Sequence, residues 1–291
     1  RSWPPRVTSC ASRVWRYEST PWSFSTASYW IEGPEGIVVV GTQFLASEAE
    51  SLLDAIAQVS GGPVVAAFVL HPNPDKFNGT ATFQRRGIEV LTSGPVLAEI
   101  PAVHAQRLAA FGDRYAPDFP VATPQPTSFG ASSSTLRRGG LELRLHVLGP
   151  GCGAHHVVVQ WNDHVFVGDL VAHRAHAWME LALLDPWRTR LTEIDALRPA
   201  WVHPGRGASG GPALLDLQRA YLDDVERRVA DAVATLPPGA DPKAARAGLV
   251  DAIVRAYPRH RFSAFVSVAM PALWDRAMRE RARSTTRVSS R

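Results

Sequence analysis

Lysine is almost missing from this chain of 291 residues: Lys76 and Lys243 are the only two, and arginine supplies the rest of the 31 basic side chains. The net charge is a modest +4, spread along the chain. No dense basic stripe with interleaved aromatics is present, which argues against a nucleic-acid surface. Cysteine is equally scarce. Cys10 and Cys152 lie far apart, form no CxxC pair and no disulfide framework, and so do not decide the redox compartment. No apolar run is long enough to span a bilayer, and no repeat of 20–50 residues recurs. The first residue is Arg rather than Met, which reads as a trimmed start, so the compartment stays open between cytoplasm and periplasm or secretion. At 45% hydrophobic and 20% charged, the composition is that of a soluble globular protein of one large or two small domains.

The pattern along the chain alternates strands and helices. Residues 1–12, with Pro4-Pro5, read as an irregular arm. Strands are expected over Val14–Glu18, Ser25–Glu32 and Ile37–Val40, and a helix over Ser47–Val59 with Ser47 as its N-cap. Val64–Leu70 is a continuous apolar run and reads as a buried strand, followed by a short helix within Asn78–Arg86. Ile88–Leu91 reads as a strand, and Pro95–Phe111 as a helix interrupted at Pro101. Residues 113–130, rich in proline, read as a long surface loop and a lip over the site. Leu141–Leu148 alternates like a half-buried strand, and His156–Gln160 with His164–Val167 forms a hairpin about Trp161-Asn162-Asp163. Pro186–Leu197 is expected to be helical, Ala200–Val202 a strand and Pro212–Leu236 a long helix, with two further helices at the end. Two β-rich segments, each followed by helices, imply α/β architecture with αββα layering.

The polar stretch His71-Pro72-Asn73-Pro74-Asp75-Lys76 stands at the C-terminal end of the Val64–Leu70 strand, where α/β proteins place their chemistry. Its spacing resembles the His-x-His-x-Asp-His signature of the metallo-β-lactamase superfamily, with Asn73 and Lys76 at two of the expected histidines. Four further segments resemble that family in order. Ser28–Ile31 followed by Gly36–Thr42 is similar to its opening hairpin, with Gly41 in place of Asp. Leu148–Cys152 resembles the segment ending in Gly-His, with Cys152 at the histidine. Val165–Asp169 matches the strand ending in Gly-Asp, and Pro204-Gly205-Arg206-Gly207 resembles Pro-Gly-His-Gly, with Arg206 at the last histidine. The resemblance implies a sandwich of two mixed β-sheets flanked by helices. It divides the chain into an arm (1–12), a metallo-β-lactamase-like domain (13–222) and a helical C-terminal extension (223–291) packed on the same domain.

Carried over residue by residue, the resemblance leaves His71, Asp75, Cys152 and Asp169 as metal-ligand candidates. Lys76 and Arg206 put cations where ligands belong, and arginine does not give up its proton. Two readings follow. In one, a single ion, zinc rather than iron, sits on His71, Cys152 and Asp169 with Asp75 nearby. In the other, Lys76 and Arg206 replace the metal charge by pairing with Asp75 and Asp169. His155 or His156, His203, His173 and His176 are further candidates, of which strand alternation allows only one of the first pair to face the site. The expected activity is hydrolysis of a small ester, lactone or thioester, with Asp75, Lys76, Cys152 and Arg206 as catalytic candidates. The alternative is a metal-free binding protein or pseudoenzyme whose cations take an anionic ligand. Covalent catalysis by Cys152 is a third reading. Either a monomer or a homodimer suits these readings.

Overall fold

The computed structural model describes residues 6–289, with side chains through residue 283. The first sheet holds β1 (Val7–Ala11), β2 (Val14–Glu18), β3 (Ala27–Gly33), β4 (Gly36–Val40), β5 (Val64–Phe68), β6 (Glu89–Thr92) and β7 (Thr127–Ser128), in that order. Strands β1 to β4 run as an antiparallel meander, and β4 to β7 pair in parallel. The parallel connections are made by α1 (Ala46–Val59), by the short α2 (Pro74–Phe77) with α3 (Thr80–Arg85), and by α4 (Gly94–Tyr115). The second sheet has the order β12-β11-β10-β9-β8, comprising β8 (Ser134–Arg138), β9 (Leu141–Leu148), β10 (His156–Trp161), β11 (His164–Ala172) and β12 (Trp201–Arg206). It is antiparallel except for the β11–β12 pair, which α5 (Leu184–Asp195) connects. Three helices close the chain: α6 (Ala213–Ala234), α7 (Pro242–Ala256) and α8 (Ala264–Ser289). Both sheets are therefore mixed, as expected.

Alternation along the strands builds the layers. Val157, Val159 and Phe166 belong to the core shared with the first sheet, whereas Val158, Val165 and Val167 belong to the core shared with α5, α6 and α8. β4 is buried at all five positions and carries an unbroken apolar sequence, the pattern of a strand covered on both faces. α6 runs without a break across positions 222 and 223 and packs on the second sheet together with α8.

Several expectations need correction. The irregular arm is partly a strand: Val7–Ala11 pairs with β2, held by backbone bonds rather than by a buried face, since only Val7 is buried. Residues 1–5 of that arm lie outside the described residues. α4 is continuous through Pro101, which sits on the exposed face, where water can take the carbonyl freed by its missing N–H. The expected loop 113–130 is shorter, because α4 reaches Tyr115 and Thr127–Ser128 adds β7 to the sheet edge. α1 begins at Ala46, and Ser47 is not its cap; its backbone N–H donates to the Asp118 carboxylate at 2.8 Å. β11 runs five residues and β12 four beyond their expected ends, and β8 was not foreseen.

The two sheets meet at the end that carries the polar loop. Beyond β5, Val69 N–H donates to Leu91 O at 2.8 Å, so the interior strand continues toward His71. Val157 N–H of the second sheet donates to Leu70 O at 2.6 Å. This junction brings residues almost a hundred positions apart into one site.

Candidate functional site

His71 ends the extension of β5, and α2 immediately presents Asp75 and Lys76. Asp169 lies within β11, where the pairing with β12 shifts register, and Arg206 is the last residue of β12. Two glycines make the approach feasible. A Cβ on Gly205 would lie 1.9 Å from Asp169 Oδ1, and one on Gly168, which holds a positive φ of 55°, would lie 3.0 Å from the His71 ring. A side chain at either place would displace a residue of the site.

The four charges form a closed ring. Lys76 Nζ donates to Asp75 Oδ2 at 2.8 Å and lies 3.1 Å from Asp169 Oδ1, an ion pair off the hydrogen-bond direction. The Arg206 guanidinium donates to Asp169 Oδ2 at 2.5 Å and to Asp75 Oδ2 at 2.9 Å. Thr26, just before β3, donates its hydroxyl to Asp75 Oδ2 at 2.7 Å, and Arg206 Nε donates to Phe24 O at 3.2 Å. All four charged side chains are buried. Burial alone would raise the carboxylates; the Lys76 and Arg206 charges override it and hold Asp75 below the usual carboxylate range. Asp169 is held down in the same way, chiefly by Arg206. Burial would lower Arg206, and Asp169 and Asp75 more than compensate, raising it.

The remaining candidates surround this ring without joining it. His71 is fully buried and burial depresses it to about 4, so it is neutral near pH 7. Its Nε2 accepts the Asp169 backbone N–H at 3.4 Å, which leaves the proton on an unpartnered Nδ1. Its ring centroid is 5.4 Å from that of His156, which is buried, while His155 is only half-buried. Cys152 Sγ lies 3.9 Å from His156 Nε2, and the Gly153 N–H donates to that same nitrogen at 3.2 Å. Burial, followed by the Asp169 and Asp75 charges, pushes the Cys152 thiol well up. Burial holds His156 well below the imidazole range. The thiol is protonated, and the neighbouring imidazole is a weak base whose Nε2 already accepts the Gly153 N–H, so the pair is not an activated nucleophile. His203 is bonded to His164 at 2.9 Å and to Ser209 at 2.8 Å, away from the ring. His173 bonds Ala208 O, and His176 bonds the Tyr221 hydroxyl.

Above the charged floor is a narrow cleft with a volume of only about 40 Å³. Its walls are aromatic: Phe24, Phe44, Phe111, Trp178 and Phe265. The Arg206 guanidinium packs 5.2 Å from the Phe265 ring centroid. Arg107 of α4 pairs with Glu180 through two hydrogen bonds and stacks 5.2 Å over Trp178. Thr26, Arg107 and the aromatic walls were not foreseen from the sequence. Arg107 had a signal, since it falls on the buried face of α4 in step with Val96, Ile100 and His104, where helical spacing asks for an apolar residue. Phe265 had none, because its place depends on how α8 docks.

No protein-family model matches the sequence, and no curated protein matches it either. Solved structures do. A metallo-β-lactamase from Pontibacter korlensis superposes with a TM-score of 0.59 at 24% identity, over 75% of this chain and 98% of that one. The DIM-1 metallo-β-lactamase gives 0.58 at 16% identity, over 75% and 97%. The chain therefore has the metallo-β-lactamase fold.

That fold implies a metal centre, and the residues present do not fit one. Lys76 Nζ stands between the two carboxylates, and Arg206 bonds both, so the lone pairs that would face a cation already face two. Among the described residues, no group of three or more His, Cys, Asp or Glu is arranged to hold a metal ion.

Proposed function

We propose that this chain is a metal-independent binding protein on a hydrolase fold. Its ligand is a small molecule with a flat apolar body and an uncharged polar end. The observation that carries this reading is the closed ring of Asp75, Asp169, Lys76 and Arg206, in which two carboxylates balance two cations. An ammonium and a guanidinium can replace the charge of a metal, but they cannot lower the pKa of a water to make hydroxide as a metal does. The buried, protonated Cys152 offers no substitute nucleophile.

The same balance bears on the ligand. Two cations alone suggest an anion, but any anion reaching Arg206 competes with Asp75 and Asp169 for the same N–H groups. A neutral hydroxyl or amide end avoids that cost, while the five aromatic walls favour a ring.

Calorimetric titration with benzyl alcohol and with phenylacetate tests this directly, beside an assay of 4-nitrophenyl acetate hydrolysis with and without chelator. The expected result is weak, saturable binding that favours the alcohol, reduced at least fivefold in Trp178→Ala, and no chelator-sensitive turnover. Ester or lactone turnover that zinc restores after chelation would overturn the proposal in favour of a metal hydrolase.

A further inference from the structure

A second cavity lies on the far side of the second sheet, between the end of β11, the start of α6 and the link from α7 to α8. It has a volume of about 490 Å³, in the range of small-molecule sites. Its chemistry differs from that of the aromatic cleft. Arg174, Arg259, His173 and His260 line it, and no Asp or Glu is among its lining residues. Among the described residues, neither Arg174 nor Arg259 has a carboxylate within salt-bridge distance, although most arginines nearby on α5, α6 and α8 are paired.

Aromatic planes stand beside these cations. The His260 ring stacks on Tyr221 at 5.6 Å and 10°, and Tyr221 meets Tyr257 at 5.0 Å. Two buried side chains that do not line the cavity are bonded to residues that do, Ala172 and Tyr221, and carry unpartnered polar atoms. Gln218 accepts the Ala172 N–H through Oε1 and leaves Nε2 free of any partner. His176, bonded to the Tyr221 hydroxyl through Nδ1, leaves Nε2 unpartnered.

The rim is fixed rather than loose. Arg261 N–H donates to Arg174 O at 3.1 Å and His176 N–H donates to Arg261 O at 2.9 Å. Arg174 itself is held at a φ of 54°, a conformation that a non-glycine residue keeps only under constraint. Burial, followed by the His173 and Arg259 charges, holds His260 below the imidazole range.

We infer that this cavity is a binding site for a small oxyanion-bearing aromatic molecule, with Arg174 and Arg259 taking the oxyanion and the Tyr257 and His260 planes taking the ring. Planar guanidinium groups bind phosphate or carboxylate oxygens in pairs, and the unpaired arginines give up no existing ion pair to do so. The site is independent of the cleft above Arg206, although the wall between them is shared through His173 N–H donating to Arg206 O at 3.0 Å.

The test is calorimetric titration of the full chain with phenyl phosphate, benzoate and inorganic phosphate. Phenyl phosphate is expected to bind at least tenfold more tightly than inorganic phosphate, because only it engages the ring planes. Benzoate binding as tightly as phenyl phosphate would support the site with a carboxylate as its oxyanion. Arg174→Glu with Arg259→Glu, both on exposed residues, should weaken binding at least tenfold without changing the melting temperature. His260→Ala should shrink the advantage of phenyl phosphate over inorganic phosphate. Absence of saturable binding by all three probes would overturn the inference. So would binding that survives the double reversal, or that is lost in Arg107→Gln at the other cleft instead.

Discussion

Two ion-pair networks in this molecule use the same side chains to different ends. On the helical face, Arg188 bonds Asp223 at 2.7 Å and Asp185 at 2.9 Å, and Arg276 joins Asp185 and Glu226 at 2.8 and 2.7 Å. Those carboxylates are 29–73% exposed. In the site, Lys76, Arg206, Asp75 and Asp169 make equally short contacts with side chains only 1–8% exposed. Water can solvate either partner of a broken pair on the helical face, and the net value of such pairs is small. In the site little water can reach a broken pair, so each charge depends on the other three. The buried ring is therefore less a source of stability than a constraint: the fold must keep both cations or neither carboxylate.

Breaking one network and then the other should expose that contrast. Arg206→Ala or Lys76→Ala strands a buried carboxylate, and denaturant titration should show a loss of roughly 3–5 kcal/mol. A cycle combining Lys76→Met with Asp169→Asn should recover part of the loss, with a coupling of roughly 1–3 kcal/mol. Additive losses would mean the pair is already solvated. Arg188→Ala on the helical face should cost about 0–1 kcal/mol, and added salt should shrink even that.

Acid sharpens the contrast further. Asp75 and Asp169 are held below their ordinary 3.8, so their contribution is present above that value and is lost only as the pH falls through the depressed range. The buried histidines act earlier. His71 falls from 6.5 to about 4, His176 to about 4 and His203 to about 3. Between pH 6.5 and 4 the unfolded chain binds protons that these folded rings refuse, so stability should already decline there. His71→Gln should reduce the acid slope by roughly one proton's worth in that window. An unchanged slope would mean that His71 is accessible when folded.

Much of the site was legible because it sits on short motifs with strong local context. The apolar run before His71 defined an interior strand, and Gly168-Asp169 and Pro204-Gly205-Arg206 marked the strand ends that face it. That Lys76 and Arg206 would meet Asp75 and Asp169 was one of two readings open in the sequence, and it rested on the motif resemblance that set all four at one site, where buried cations need partners. The cleft was not legible. Phe24, Phe111, Trp178 and Phe265 come from four separate segments whose meeting depends on tertiary docking. The edge strands β1 and β7 were missed for a related reason: they hold their places through backbone pairing with little or no buried face, so no hydrophobic alternation announces them.

The central claim is that two cations stand where the fold's metal centre would be. The measurement that tests it most directly is zinc content by elemental analysis, after dialysis against excess zinc and gel filtration. It should be run on the wild-type chain beside a variant carrying Asn73→His, Lys76→His and Arg206→His. The account predicts well under one equivalent for the wild type, an unchanged melting temperature in chelator, and at least one equivalent for the variant. A full equivalent on the wild-type chain, removed by chelator together with a fall in melting temperature, would contradict it.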